Sequence, residues 1–176
     1  MKFLKYVFYG IGGLIILILL VALFLPAEYN VQRSITIAAS DSAVYAFTSD
    51  FNHRKSWDPW IAQEPTAKVT VSGPAGQVGS KWAWQGEQIG SGSMIITELN
   101  SARSIKSEIY FGEETQPGYV TWQFTPENGS TQVTWGIRGE LDYPVGRIMG
   151  LLIGGFVGQS FETGLSNLKE VIEAQR

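Results

Sequence analysis

The chain holds no cysteine and a single histidine, His53. Without thiols there is neither a disulfide framework nor a thiolate nucleophile, and one imidazole cannot complete a histidine-based triad or a zinc centre of ordinary ligands. No metal and no cofactor is therefore expected. The compartment stays open, because an extracytoplasmic domain of this size folds without bridges. Basic residues are also scarce: 13 Lys and Arg stand against 16 Asp and Glu in 176 residues, a net charge of −3. That balance is no electrostatic footprint for nucleic acid. Phosphate-cradling loops are missing too. Gly76-Gln77-Val78-Gly79 and Gly90-Ser91-Gly92 are followed by no lysine-serine pair and lie in no strand-to-helix crossover, so they read as hairpin glycines. Asp58 has no partner identifiable from spacing, and no pair of carboxylates for acid-base work can be located. No internal repeat, low-complexity run or linker interrupts the chain.

What the chain does have begins with Val7 to Leu25, nineteen residues without a charge. About 20 apolar residues span a bilayer core. The run is longer than a signal-peptide core, and Leu25 and Ala27 around Pro26 make no small-x-small cleavage site, so an uncleaved anchor over residues 1–26 is expected, with a cleaved signal peptide or a buried core helix as the alternatives. Lys2, Lys5 and the amino terminus flank one side, whereas Glu28 and Arg33 nearly cancel on the other. This bias puts the N-terminus in the cytoplasm and residues 27–176 outside the plasma (inner) membrane.

Those 150 or so residues suffice for one domain with a sizeable core. Tyr29 to Ala38 alternates as a strand, and Ser40 or Asp41 is placed to cap a short helix over 42–51. Asn52 to Trp60 crowds His53, Trp57, Pro59 and Trp60 into a rigid connection. Strands then follow over 67–72, 81–85, 93–99, 104–111, 119–124 and 131–141. Asn128-Gly129 before the last is the strongest short hairpin signal in the chain. About seven antiparallel strands would curl strongly, and the concave face needs a cover.

The segment Pro144 to Arg176 is the only one long enough to supply it, as one helix or two collinear ones. Phe161, Leu165, Leu168 and Ile172 recur at helical spacing on one face. Projected backward, that face meets Gly146, Gly150, Gly154 and Gly158. Each glycine costs roughly 1 kcal/mol in a helix, so a stripe of four implies a face that needs room. Ile148, Leu152 and Phe156 then point outward, unless a bend near Gly154 changes the register. This strip is a surface for the membrane, for a second copy in a weak homodimer, or for an overlying loop.

Several segments, in order, resemble the helix-grip (SRPBCC) superfamily of START, Bet v 1 and polyketide cyclase domains, and within it the small bacterial polyketide-cyclase-like branch. They are Val31-Gln32-Arg33-Ser34-Ile35, Trp57-Asp58-Pro59-Trp60, Gly79-Ser80-Lys81-Trp82-Ala83-Trp84 with Gly90, Gly92 and Met94, Thr131-Gln132-Val133-Thr134-Trp135, and Phe161-Glu162-Thr163-Gly164-Leu165 with Leu168-Lys169. The resemblance implies an α+β fold in which a curved antiparallel sheet grips the long C-terminal helix around an apolar cavity. It implies far less about chemistry, because one fold hosts many functions.

Trp82, Trp84, Trp122, Phe124 and Trp135 occupy alternating positions of neighbouring strands. Together with Gly150, Gly154, Gly158 and Phe161 they are the residues expected to line a pocket for a small hydrophobic molecule or lipid. The opposing reading of the same aromatics is a filled core. Glu108, Arg138 and Glu140 are expected on the solvated sheet face. The expected function is membrane-anchored binding without catalysis. Two alternatives stand beside it: a cyclase- or hydratase-like enzyme, which needs a polar residue inside the pocket such as an inward Glu108 or Arg138, and an interaction module built on the outward strip.

Overall fold

A computed structural model describes residues 2–175. The amino terminus and Arg176, which the sequence reading uses for the charge flank and the helix end, lie outside the described residues, as do the side chains of residues 2–4. The elements are α1 (Lys2–Phe24), β1 (Glu28–Ile37), α2 (Asp41–Ser49), α3 (Phe51–Arg54), α4 (Pro59–Gln63), β2 (Lys68–Ser72), β3 (Lys81–Gln85), β4 (Ser91–Asn100), β5 (Ser104–Phe111), β6 (Gly118–Glu127), β7 (Ser130–Glu140) and α5 (Val145–Glu173). The strands form one antiparallel sheet in the order β1-β7-β6-β5-β4-β3-β2. It is a meander from β2 to β7 whose last strand takes β1 as its outer neighbour.

Local chemistry accounts for the element ends. Ser40 caps α2 by accepting from the Ala43 N–H, Asp50 caps α3 through the Asn52 N–H, and Asp58 caps α4 through the Trp60 and Ile61 N–H groups with Pro59 at the first helical position. The β6–β7 hairpin turns at Asn128 and Gly129, with φ of 43° and 87°. Positive φ at both central residues matches the right-handed twist of the flanking strands, which is why this dipeptide sits there. In β4 the register shifts between Ile96 and Glu98, a bulge that bends the strand and tightens the curl of the sheet.

Register fixes what the concave face presents. Trp122 lies opposite Trp135, Val120 opposite Ile137 and Phe124 opposite Val133. The same rows continue into β1 as Arg33, Val31 and Ile35. Glu108, Tyr119 and Arg138 form a row on the other face, where Glu108 accepts a hydrogen bond from the Tyr110 hydroxyl and the Arg138 guanidinium lies 5.2 Å from the Tyr119 ring centre. Arg138 and Glu140 are exposed.

α5 is one continuous helix of 29 residues. It runs closest to β1 and α4, and its C-terminal half buries Phe161, Leu165, Leu168 and Ile172. The Lys169 ammonium donates to the Thr36 carbonyl at 2.9 Å, the Ala38 N–H donates to Glu173 at 2.7 Å, and the Asn167 amide reaches the Trp57 carbonyl at 3.3 Å. The connection between α2 and β2 is the expected plug: Trp57, Pro59 and Ile61 are buried and Trp60 is half-buried.

The glycine stripe does something other than hold space under the helix. A Cβ at Gly158 would strike the Arg33 guanidinium, which lies across the helix there and pairs with Glu162 at 2.6 Å. Gly146 and Gly150 admit Leu141, while Gly154 and Gly155 face open space. Gly164 admits both α4 and the sheet: a Cβ there would lie 2.9 Å from Pro59 and from Trp135. Of the four projected glycines, only Gly158 meets the sheet, through Arg33 of β1, while the neighbour at Gly146 and Gly150 is Leu141, just past the end of β7.

Lys5 to Phe24 of α1 is long and apolar enough to cross a membrane, with a mean hydropathy of 2.8. Among its described side chains only Ala22 is fully buried. α5 passes the same test of length and composition at a mean hydropathy of 1.2, but its second half is packed against the sheet. Polar contacts to α1 come from the start of α5 and the residues before it: the Tyr143 hydroxyl donates to the Leu19 carbonyl at 3.0 Å, and the Arg147 guanidinium lies 3.5 Å from the Ala22 and Leu23 carbonyls.

Candidate functional site

Between α5 and the far half of the sheet lies a cavity of about 200 Å³. Strands β3 to β7 supply Trp82, Trp84, Met94, Ile109, Phe111, Val120, Trp135 and Ile137 as its walls. Register explains the set: Trp82, Met94 and Ile109 are directly paired across three strands, and Val120 is paired with Ile137. The helix contributes Phe156, Val157 and Phe161, and the β3–β4 turn contributes Ile89. Phe111 and Phe156 are exposed while still bordering the cavity, so they mark its mouth.

Stacked rings close the opposite end. Trp135 lies between Phe161, at 3.9 Å and 10°, and Trp122, at 4.6 Å and 14°. Trp57 and Trp60 meet Trp135 edge-on at 5.7 and 5.9 Å. Of the residues expected at a pocket, Trp82, Trp84, Trp135 and Phe161 border the cavity. Trp122, the far ring of the stack, and Phe124 are buried and do not border the cavity, Phe124 lying edge-on to Tyr45 at 5.7 Å. Gly150 and Gly154 border a separate recess beside Pro26, Tyr29 and Leu141, and Gly158 is occupied by Arg33.

The polar part of the cavity comes from α3 and α4. Arg54 and Asp58 line it, with side chains only 6% and 5% exposed. Arg54 Nε donates to Asp58 Oδ2 at 2.9 Å, and Asp58 Oδ1 accepts from the Trp60 and Ile61 N–H groups at 3.0 and 3.1 Å. The guanidinium carbon sits 5.0 Å from the Trp57 ring centre, 5.7 Å from Trp135 and 5.8 Å from Trp82. Ring faces partly replace the lost hydration of the cation. Burial lowers the affinity of Arg54 for its proton, and the adjacent Asp58 opposes that shift.

Sequence reasoning missed this pair, leaving Asp58 without a partner. The signal was present in Arg54-Lys55-Ser56-Trp57-Asp58, an i, i+4 cation and anion at the entry to a capped helix. Glu108 and Arg138, named as test residues for an enzyme, point away from the cavity, since each alternates with a lining residue, Ile109 and Ile137.

Glu64, at the end of α4, fixes the rim. Its carboxylate accepts from the backbone N–H groups of Glu87, Gln88 and Ile89 at 2.8, 2.9 and 3.0 Å. Those bonds, the ones from Ile89 and Glu87 foremost, hold its carboxyl below the ordinary range, with burial working against them. His53 stands half-exposed on the surface, stacked on Phe47 at 4.4 Å. Among the described residues no cluster of three or more His, Cys, Asp or Glu is arranged to hold a metal ion.

Residues 28–173 match the family described as polyketide cyclase / dehydrase and lipid transport. The chain belongs to this family. Its fold is that of the wider helix-grip superfamily, and solved structures with little sequence in common share it. A protein from Thermus thermophilus is 17% identical, with a TM-score of 0.63 over 84% of this chain and 99% of that one. A protein of unknown function from Staphylococcus aureus is 16% identical, with a TM-score of 0.63 over 84% and 96%. The Aha1 dimer from Colwellia psychrerythraea is 17% identical, with a TM-score of 0.60 over 82% and 96%. Among curated proteins, no sequence matches the chain. At such identities the likeness speaks for the fold alone.

Proposed function

We propose that the protein is a single-pass, membrane-anchored carrier or receptor that holds a small hydrophobic molecule or lipid between its sheet and α5, without catalysing a reaction on it. Residues 1–26 are the tether and residues 27–176 the binding domain, outside the plasma (inner) membrane. The observation that carries this reading is the cavity itself: about 200 Å³ walled by aromatic and aliphatic side chains and open beside Phe156. An engineered cavity of roughly 150 Å³ with similar walls stays dry and takes up an apolar guest, so this one is large enough for a ring or a short acyl segment.

The membrane side of the reading is supported by α5. Val145, Met149, Leu152 and Phe156 recur at helical spacing and are each more than half exposed. This row starts where α5 touches the last turns of α1 and ends at the cavity mouth. A helix face of this kind belongs in the interface of the bilayer that α1 enters, and it offers a lipid an apolar route to the mouth. A second copy or another protein seated on the row is the competing occupant.

The full-length chain, extracted in a lipid-based nanodisc, is expected to release a discrete small molecule to mass spectrometry. Val157→Trp, which narrows the mouth, should lower its yield. A native chain that carries nothing and takes up no apolar probe would overturn the reading. An enzyme remains the second reading, because Arg54 and Asp58 place charge inside the cavity. Both Asp58 oxygens, however, are already engaged by protein donors, which argues against Asp58 as a base.

A further inference from the structure

The cavity floor has an excess of hydrogen-bond donors. Only Nε of the Arg54 guanidinium finds a protein acceptor; among the described residues its two Nη nitrogens make no hydrogen bond, although the side chain is 6% exposed and lines the cavity. Both Nη nitrogens donate and neither can accept. Donors of a nearly buried side chain are ordinarily satisfied, so a guanidinium edge left open on a cavity wall is a site for an acceptor that the chain does not itself supply.

The charge balance narrows the class of acceptor. Asp58 already neutralises Arg54 through the Nε edge. A carboxylate on the Nη edge would leave a net negative charge in a nearly dry, apolar space, which is expensive. A neutral carbonyl oxygen satisfies the same donors and leaves the site neutral.

We propose that Arg54 is a ligand-binding residue that docks a neutral carbonyl oxygen of an otherwise apolar guest, with the guest's body lying between Trp82, Met94, Ile109 and Phe161. The assignment rests on the reading of the cavity as a ligand site and adds the chemistry and orientation of the guest. The carbonyl end enters first and the apolar tail trails toward Phe156 at the mouth.

Three probes of one size test it on the full-length chain in nanodiscs: ethylbenzene, acetophenone and benzoate, with affinity read by calorimetry and by tryptophan fluorescence. Acetophenone should bind at least tenfold more tightly than ethylbenzene, and benzoate should not exceed acetophenone. Arg54→Lys retains a cation for Asp58 but replaces the rigid Nη fork by a shorter ammonium, so it should lower the ratio of acetophenone to ethylbenzene affinity severalfold. If that variant misfolds, Arg54→Met combined with Asp58→Asn removes both charges, keeps an acceptor at the α4 cap, and should give the same result. Equal affinities of ethylbenzene and acetophenone in the native chain would overturn the docking role while leaving the cavity reading intact. Benzoate as the tightest probe would overturn the choice of a neutral head. Binding of none of the three would overturn the cavity reading and this proposal with it.

Discussion

Replacing glycines of α5 one at a time by alanine separates two things that a glycine in a helix can do. Every such substitution gains the same intrinsic term, roughly 1 kcal/mol, because alanine restricts the unfolded chain and favours the helix. What differs is the neighbour that the new methyl group meets. At Gly154 it meets nothing within 4 Å, so Gly154→Ala should stabilise by about the full 1 kcal/mol, a rise in Tm of roughly 2–4 °C for a chain of this size. At Gly164 it would lie 2.9 Å from Pro59 and from Trp135. Neither can yield cheaply: Pro59 opens α4, and the Trp135 ring is held between Phe161 and Trp122. Overpacking of this sort costs about 1–3 kcal/mol, which cancels or exceeds the helical gain.

Since the helical term is common to both variants, their difference reads the packing alone. Gly154→Ala should therefore exceed Gly164→Ala by about 1–3 kcal/mol. Gly158→Ala falls between them, because the group displaced there is the flexible end of Arg33 and the ion pair with Glu162 is exposed, worth at most about 1 kcal/mol. The assay is thermal and urea unfolding of the full-length chain in mild detergent, followed by tryptophan fluorescence. Equal shifts for Gly154→Ala and Gly164→Ala would refute the packing of α5 on Trp135. Destabilisation by Gly154→Ala would show that the open flank of the stripe is needed for contact after all.

Two further outcomes follow from the rim and from the apolar row. Glu64 has its folded pKa held below its ordinary value of 4.5, so its stabilising contribution is present above that pH and is lost as pH falls through the folded value. The stability gap between the native chain and Glu64→Gln, measured by urea unfolding, should be widest above pH 4.5 and shrink on acidification; a gap that widens toward low pH would reverse the sign of the argument. Because the chain has no cysteine, Leu152→Cys creates a unique labelling site. A bimane dye there should be quenched by brominated lipid in vesicles, and one at the exposed position of Ser166→Cys should not; equal quenching would remove the row from the membrane.

The strands, their order and the covering helix were legible because each rests on a short-range signal. Alternation at Val133, Trp135 and Ile137, the Asn128-Gly129 turn and the spacing of Phe161, Leu165 and Leu168 all act within a few residues. The direction of the glycines was not legible in the same way. Projecting a face along α5 says which residues share it but not what lies opposite, and the groups met there, Arg33 at Gly158 and Pro59 at Gly164, lie far upstream in the chain. The same limit applied to the aromatics. Alternation put Trp122 and Trp135 on one face correctly, but which ring covers the other is decided by α5, so Trp122 ended as the far ring of the stack and Trp135 at the cavity. Arg54 was hidden for a different reason. Burial of a charge leaves no periodic trace, and only its i, i+4 relation to Asp58 hinted that the two were meant for each other.

That buried pair bears on what the cavity is for. As a device for stability it is poor, because an Arg–Asp pair of this kind loses about as much in desolvation as it gains in attraction, and apolar residues of the same volume do as well or better. A core that merely needed filling between Trp57, Trp82 and Trp135 would be served by leucine and methionine. The chain instead holds a guanidinium there, fixes it by one edge to the cap of α4, and leaves the other edge toward a space that no side chain fills. The stack of Phe161, Trp135 and Trp122 closes one end of that space, and α5 stands away from β3, β4 and β5 on the other. An apolar chamber with one neutralised, half-used cation at its floor and an aromatic mouth at Phe111 and Phe156 is poorly explained by packing, and well explained by a guest that is greasy along its length and polar at one oxygen.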